Sequence, residues 1–139
     1  MTIHTNTSTG LTLTGAPLAI HGYDPVACFT EGQARIGKSA FTATHDGAAY
    51  RFVSQSNKDA FEKDPERFAP QYGSFCAFGV SIGAKFDGDP SLWRIVADKL
   101  YFNLNPDIQA QWVQDIPGNI AKADQNWAQI RDKAPVELK

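Results

Sequence analysis

The sequence predicts a single small α+β domain, in which β-hairpins pack on helices and a helical segment ends the chain. Its 139 residues, of which 42% are hydrophobic and 20% charged, fit one globular domain with a substantial core. Apolar and polar residues alternate on both sides of Asp46-Gly47, a dipeptide typical of two-residue hairpin turns. Helix-start signals follow at Asp24-Pro25 and Asn105-Pro106, where a capping residue precedes a proline.

Charge and hydropathy exclude several classes of function. The net charge is −2, and no stretch of the chain forms a basic face, so nucleic acid is a poor partner. No apolar run approaches the roughly 20 residues that span a bilayer. The first twenty residues lack the features of a signal peptide. We therefore expect a soluble, cytoplasmic protein, or a periplasmic one if a leader has been removed from the sequence.

The first part of the chain predicts an arm followed by a helix. Residues 1–16 are small and rich in threonine, which predicts an arm or loop ahead of a domain spanning residues 17–132. Asp24 then caps a helix whose first residue is Pro25. This helix would place Cys28 near the end of its first turn, where the helix N-terminus would stabilise a thiolate.

The middle of the chain predicts a hairpin and an interrupted helix. Phe41 and Phe52 belong to the alternating stretches on the two sides of the Asp46-Gly47 turn. Ser56, with an acidic residue three positions later, predicts a capping box at the start of the next helix. Phe61 and Phe68 lie seven residues apart, on one helical face, and Asp64-Pro65 between them restarts or kinks that helix.

The second half predicts a buried segment, a second hairpin and terminal helices. Residues 71–90 are small and apolar, which is typical of either a short buried helix or a loop packed on the core. Residues 92–104 predict two strands around a turn at Ala97-Asp98-Lys99. A helix starting at Asn105-Pro106 is interrupted at residues 116–118. Residues 133–139 form the predicted C-terminal tail.

Four stretches of this sequence resemble a known family. They are "GYDPVACF" (22–29), "YRFVSQSNKDAFEKDPERFAPQYG" (50–73), "FCAFGV" (75–80) and "LWRIVADKLYFNLN" (92–105). Together they are similar to the YHS-domain proteins, and more closely to the stand-alone bacterial branch described as "YHS domain-containing protein". The resemblance runs over residues 20–127. It implies a small α+β domain with a β-hairpin packed on helices, a link to metals, and no established enzymatic activity.

The metal-associated members of that family carry cysteines in patterns like Asp-Pro-Val-Cys and Phe-Cys-Ser-x-x-Cys. At the matching positions this chain has Ala27, Val53 and Asn57, so the ligands implied by the resemblance are lost. Cys28 comes one residue after the first of these positions. Cys76 matches the branch's own Gly-x-x-Cys-Ala stretch. The fold inference therefore holds, whereas the family's usual metal ligation does not carry over.

Cys28, Cys76 and His21 form a different candidate metal set. Two thiolates and one imidazole suit copper(I) or zinc. Structural zinc usually takes closely spaced cysteine pairs, which this chain lacks. The alternative is that both cysteines are small buried hydrophobes. The leading hypothesis is a non-enzymatic module that binds a metal ion or small ligand near Cys76 and Cys28.

Three tyrosines are the candidate polar groups of a pocket for a small ligand or cofactor. Tyr23, Tyr72 and Tyr101 carry hydroxyls that need hydrogen-bond partners if buried, although most aromatics in such a domain are core.

Two further functions stay open. One is redox or catalytic chemistry at a cysteine thiolate, which a helix N-terminus would favour and apolar neighbours would oppose. The other is a purely structural or interaction domain that forms a homodimer through its aromatic-rich hairpins.

Overall fold

The computed structural model describes residues 5–11 and 16–138 of the chain. The strands and helices are, in chain order, β1 (Thr7–Leu11), β2 (Pro17–Ala19), α1 (Pro25–Thr30), β3 (Lys38–His45), β4 (Ala48–Phe52), α2 (Gln55–Lys63), α3 (Pro65–Phe68), α4 (Ala77–Ser81), β5 (Asp89–Val96), β6 (Lys99–Asn103), α5 (Pro106–Val113) and α6 (Ile116–Ile130). Short 3₁₀ turns occupy Ile20–Gly22, Gln71–Ser74 and Pro135–Leu138. The predicted α+β domain, with hairpins, helices and a C-terminal helical segment, is confirmed.

The first sheet has the strand order β1-β2-β4-β3. Strands β3 and β4 form the predicted hairpin, in which His45 pairs with Ala48 across the Asp46-Gly47 turn. Both turn residues have positive φ angles, +49° and +76°, as the tight turns of hairpins require. Strand β2 pairs in parallel with β4, so this sheet combines a hairpin with one crossover.

The second sheet is the antiparallel hairpin of β5 and β6. Val96 pairs with Lys99, which leaves Ala97 and Asp98 as a two-residue turn. Their φ angles are +51° and +63°, so this turn adopts left-handed backbone without a glycine. The predicted pair of strands is confirmed.

Side-chain caps define where the helices begin. Asp24 accepts hydrogen bonds from the first turn of α1, and Asn105 caps α5, as the sequence predicts. The predicted cap at Ser56 is wrong, because the cap and the start of α2 both lie two residues earlier, and Ser56 is inside the helix. Ser54 caps it by accepting a 3.1 Å bond from Asn57 N. The backbone of Ser54 itself is extended, as is usual for an N-cap residue.

The N-terminal segment contains a strand where an arm or loop is predicted. Strand β1 pairs antiparallel with β2, with Thr7 opposite Ala19. Asn6 N also donates to Gly73 O at 2.8 Å, which ties this segment to the middle of the chain. Threonine is β-branched and suits a strand, so the composition that indicates a loop also permits pairing. Residues 1–4 and 12–15 of the predicted arm lie outside the described residues.

The predicted interruption at residues 116–118 is the first turn of α6. Asp115 caps this helix, and its carboxylate accepts from Gly118 N at 3.1 Å. Pro117 fits there because the first helical turn needs no intrahelical N–H donors. In the predicted tail, Pro135–Leu138 forms a 3₁₀ turn, and Lys139 lies outside the described residues.

Two hydrophobic clusters make up the core. The first lies between the four-stranded sheet and the first three helices, and its large members include Ile20, Tyr50, Phe52, Phe61, Phe68, Leu100 and Phe102. The second lies against α4, α5 and α6, and its large members are Tyr72, Phe75, Val80, Tyr101, Trp112 and Ile130. Strand β6 serves both clusters, because successive side chains of a strand point to opposite faces. No helix in the described part of the chain is long and apolar enough to span a membrane.

Candidate functional site

The two cysteines lie in the core. Cys28 belongs to the first cluster. Cys76 is 0% exposed and caps α4, where its Sγ accepts from Gly79 N at 3.4 Å. The same thiol donates to Asn103 Oδ1 at 3.5 Å. Both residues thus have the environment of buried hydrophobic thiols.

Burial keeps both thiols protonated. It raises the pKa of Cys28 to about 12, and the nearby Asp24 carboxylate adds to that rise. Burial also raises the pKa of Cys76, although backbone groups of Gly79, Leu104 and Phe78 act in the opposite direction. Since the thiolate is both the nucleophile and the metal ligand, neither cysteine is primed for either role at neutral pH.

His21 is paired with a carboxylate on the surface. Its Nε2 lies 2.9 Å from Asp87 Oδ2, and Asn6 Nδ2 donates to the other oxygen of Asp87 at 2.7 Å. Within the residues that the structure describes, no group of three or more His, Cys, Asp and Glu side chains is arranged to hold a metal ion. Cys28, Cys76 and His21 therefore stay a prediction as metal ligands.

The three positions at which the family resemblance implies metal ligands converge on the carboxylate of Asp24. Asp24 is 1% exposed. Its Oδ1 accepts from Val26 N at 2.8 Å and from Ala27 N at 3.2 Å. Its Oδ2 accepts from Val53 N at 2.9 Å and from Asn57 Nδ2 at 2.8 Å. The alanine and valine side chains carry no metal-ligating atom, and the Asn57 amide donates to the carboxylate, so these positions do not fit a metal ion.

The predicted tyrosines separate into a pair and a single residue. Tyr72 and Tyr101 pack together with ring centroids 5.7 Å apart. The Tyr72 hydroxyl donates to Asp124 Oδ1 at 2.8 Å, which supplies the partner that a buried phenol needs. Tyr23 packs instead against the first cluster, on the other side of β6.

A cavity of about 120 Å³ opens beside Tyr72. It lies between the end of the β3–β4 hairpin, α3, the turn Gln71–Ser74 and α6. The side chains that shape it are His45, Asp46, Tyr50, Glu66, Tyr72 and Trp127. Because Tyr50 belongs to the first cluster and Tyr72 to the second, the cavity marks the seam between the two halves of the core.

The charged groups of this cavity meet at one nitrogen. His45 Nε2 lies 3.2 Å from Asp46 Oδ2 and 3.6 Å from Glu66 Oε1. The His45 ring also packs edge-on against the ring of Phe61, with the two centroids 5.9 Å apart. The lining of the cavity therefore combines one imidazole with two carboxylates.

The aromatic wall of the cavity is held by unusual backbone. Tyr72, Gly73 and Ser74 have φ angles of +58°, +59° and +71°, and such left-handed conformations cost energy at residues other than glycine. The ring of Tyr72 lies 5.9 Å from that of Trp127, at an interplanar angle of 65°. Burial raises the pKa of Tyr50 and of Tyr72 above the ordinary value, so both present neutral hydroxyls.

Sequence reasoning finds Tyr72 but not the rest of this cavity. His45 ends β3, Asp46 lies in the hairpin turn, Glu66 is on α3 and Trp127 is on α6. Nothing in their spacing links them, because they come from three distant parts of the chain. Comparison of the chain with protein-family models, curated proteins and solved structures found no match.

Proposed function

We propose that this protein is a non-enzymatic module that binds a small ligand in the cavity between Tyr50, Tyr72 and Trp127. The observation that carries the proposal is the cavity itself, which combines aromatic walls with a few convergent polar groups. An engineered cavity of about 150 Å³ admits benzene. A cavity of about 120 Å³ therefore suits a ligand of roughly six non-hydrogen atoms, or one end of a larger molecule.

The proposal keeps the binding function that the sequence predicts but moves the site from the cysteines to Tyr72. Raised pKa values weigh against thiolate chemistry and metal ligation at Cys28 and Cys76. Copper or zinc binding with His21 and the homodimer stay predictions.

Membership of the YHS-domain family is part of the proposal. Two features support it: the hairpin packed on helices, and the meeting of Ala27, Val53 and Asn57 around one buried group.

The test is a screen of small molecules by two-dimensional ¹⁵N NMR on the full chain. The molecules should have about four to eight non-hydrogen atoms and include cations, anions and neutral compounds. We expect at least one compound to shift the Trp127 indole N–H and the Gly73 amide in a saturable manner. Ala69→Phe should abolish these shifts, because Ala69 lines the cavity and a phenyl group would fill most of its volume.

Ala40→Phe is the matched control for that variant, since Ala40 is exposed on β3 and does not line the cavity. Circular dichroism should show that both variants are folded. The proposal fails if no compound produces saturable shifts at the lining residues, or if Ala69→Phe binds as well as the wild type.

A further inference from the structure

We infer that the cavity selects a small organic ammonium ion, an inference that rests on the proposed function. Three independent features of the cavity carry it: the sign of its charges, the aromatic rings of its wall, and the direction of its hydrogen bonds.

The charges of the described lining residues are negative, apart from the imidazole of His45. Asp46 and Glu66 contribute two carboxylates, and the lining includes neither lysine nor arginine. Both carboxylates approach the same His45 nitrogen, within 3.6 Å. An anionic ligand would meet repulsion from both groups.

The aromatic wall suits a cation. Tyr50, Tyr72 and Trp127 line the cavity, and the electron-rich faces of such rings attract ammonium groups, most strongly in tryptophan. Trp127 already makes this interaction elsewhere, because Lys85 Nζ lies 4.9 Å from its ring centroid. Lys85 is not a lining residue, and its ammonium group donates to the carbonyls of Arg131 and Lys133.

The hydroxyl of Tyr72 has no proton to offer a ligand. It donates its single hydrogen to Asp124 Oδ1 at 2.8 Å and also bonds the Tyr101 hydroxyl, so it has no proton left to donate to a ligand. The carboxylates of Asp46 and Glu66 are acceptors. A ligand with N–H groups therefore matches this wall, whereas a carboxylate or phosphate does not.

The experiment compares three probes that share a trimethyl-substituted centre and fall within the size range of the screen: trimethylammonium, neutral tert-butanol and anionic trimethylacetate. Each is titrated into the wild-type protein at constant ionic strength while the Trp127 indole N–H is followed by NMR. We expect trimethylammonium to saturate the shift with a dissociation constant at least tenfold below that of tert-butanol. Trimethylacetate should produce no saturable shift.

Two variants remove the charge without removing the shape. Glu66→Gln and Asp46→Asn should each weaken trimethylammonium binding by about fivefold, the scale of one carboxylate a few ångströms away in water. Asparagine tolerates the positive φ of position 46, so the turn should persist. Glu62→Gln is the matched control, because Glu62 is exposed on α2 outside the lining, and it should leave binding unchanged.

The outcomes separate the inference from the proposed function. If tert-butanol or trimethylacetate binds as tightly as trimethylammonium, the cation inference is overturned while the cavity remains a ligand site. Equal weakening by Glu62→Gln and Glu66→Gln would also overturn it. If neither these probes nor the screened compounds shift the lining residues, the proposed function fails together with the inference.

Discussion

At the scale of single residues, Asp24 is a buried carboxyl group held by hydrogen bonds from three elements of the fold. Its carboxylate accepts four hydrogen bonds, from Val26, Ala27, Val53 and Asn57. A buried carboxylate is costly unless its oxygens are bonded, and here both are. This one side chain therefore caps α1 and connects it to the end of β4 and the start of α2.

Asp24→Asn should destabilise the protein by about 2–4 kcal/mol. The amide keeps one oxygen but replaces the other with an NH₂ group, which faces donors that it cannot satisfy. Each buried donor left without an acceptor costs about 1–3 kcal/mol. Urea unfolding at pH 7, followed by circular dichroism, measures the change.

Asp98→Asn is the control for that variant, because Asp98 is exposed and its positive φ also suits asparagine. It should change the free energy of unfolding by less than about 0.5 kcal/mol. Equal stability of Asp24→Asn and wild type would contradict the role given to this carboxylate.

At the scale of elements, the two hairpins form two-residue turns of similar backbone conformation from different residues. Asp46-Gly47 and Ala97-Asp98 both have positive φ angles at two successive positions. Gly47 adopts that conformation without strain, whereas Ala97 brings a Cβ into left-handed backbone. The pairing of β5 with β6 therefore stabilises a turn conformation that Ala97 disfavours.

Reciprocal substitutions should change stability in opposite directions. Ala97→Gly should raise the free energy of unfolding by up to about 1 kcal/mol, and Gly47→Ala should lower it by about as much. A Cβ at Gly47 would meet no atom within 4 Å, so only the backbone preference is tested there. Thermal unfolding of the two variants beside the wild type provides the measurement. A stabilising Gly47→Ala would contradict the argument.

The elements also show what the sequence could predict. Local signals with a physical cause succeeded, such as the cap at Asp24-Pro25 and the turn at Asp46-Gly47. The wrong predictions concern segments whose local sequence is compatible with two different structures. Ser54 and Ser56 are both acceptable caps, and only the end of β4 selects the first. Strand β1 depends on pairing with β2, which periodicity within residues 1–16 does not show.

At the scale of the whole molecule, the candidate site could not be predicted because tertiary packing assembles it. His45 and Trp127 are more than eighty residues apart in sequence, yet both line the cavity at the seam of the core. The fold of each half follows from local patterns. The position of one half against the other follows from packing across β6, which no local pattern encodes.

The stability of the whole molecule should fall above pH 9. Burial raises the pKa of five groups in the folded chain, so the folded state binds more protons than the unfolded state there. The free energy of unfolding then decreases with pH. Lys85 opposes this trend, because burial lowers its pKa to about 8 and the unfolded state then binds one more proton at this group. The five groups are Cys28, Cys76, Tyr50, Tyr72 and Tyr101.

Urea unfolding midpoints at pH 7, 9 and 10.5 under reducing conditions measure this trend. Cys28→Ala should make the decrease above pH 9 shallower, since it removes a group whose pKa changes from about 9 to about 12 on folding. A wild-type midpoint that rises through pH 10.5 would contradict the assignment of these buried groups.

The contacts of Asp24 also bear on the order in which the chain folds. Its bonds to Val53 and Asn57 span 29 and 33 residues, and the β3–β4 hairpin lies entirely within that loop. A hairpin forms on a scale of about 1–10 μs, from contacts close in sequence, and the longer loop costs more chain entropy to close. We therefore expect the carboxylate to engage after the hairpin has formed. Its loss in Asp24→Asn should then appear mainly as faster unfolding, with the refolding rate little changed.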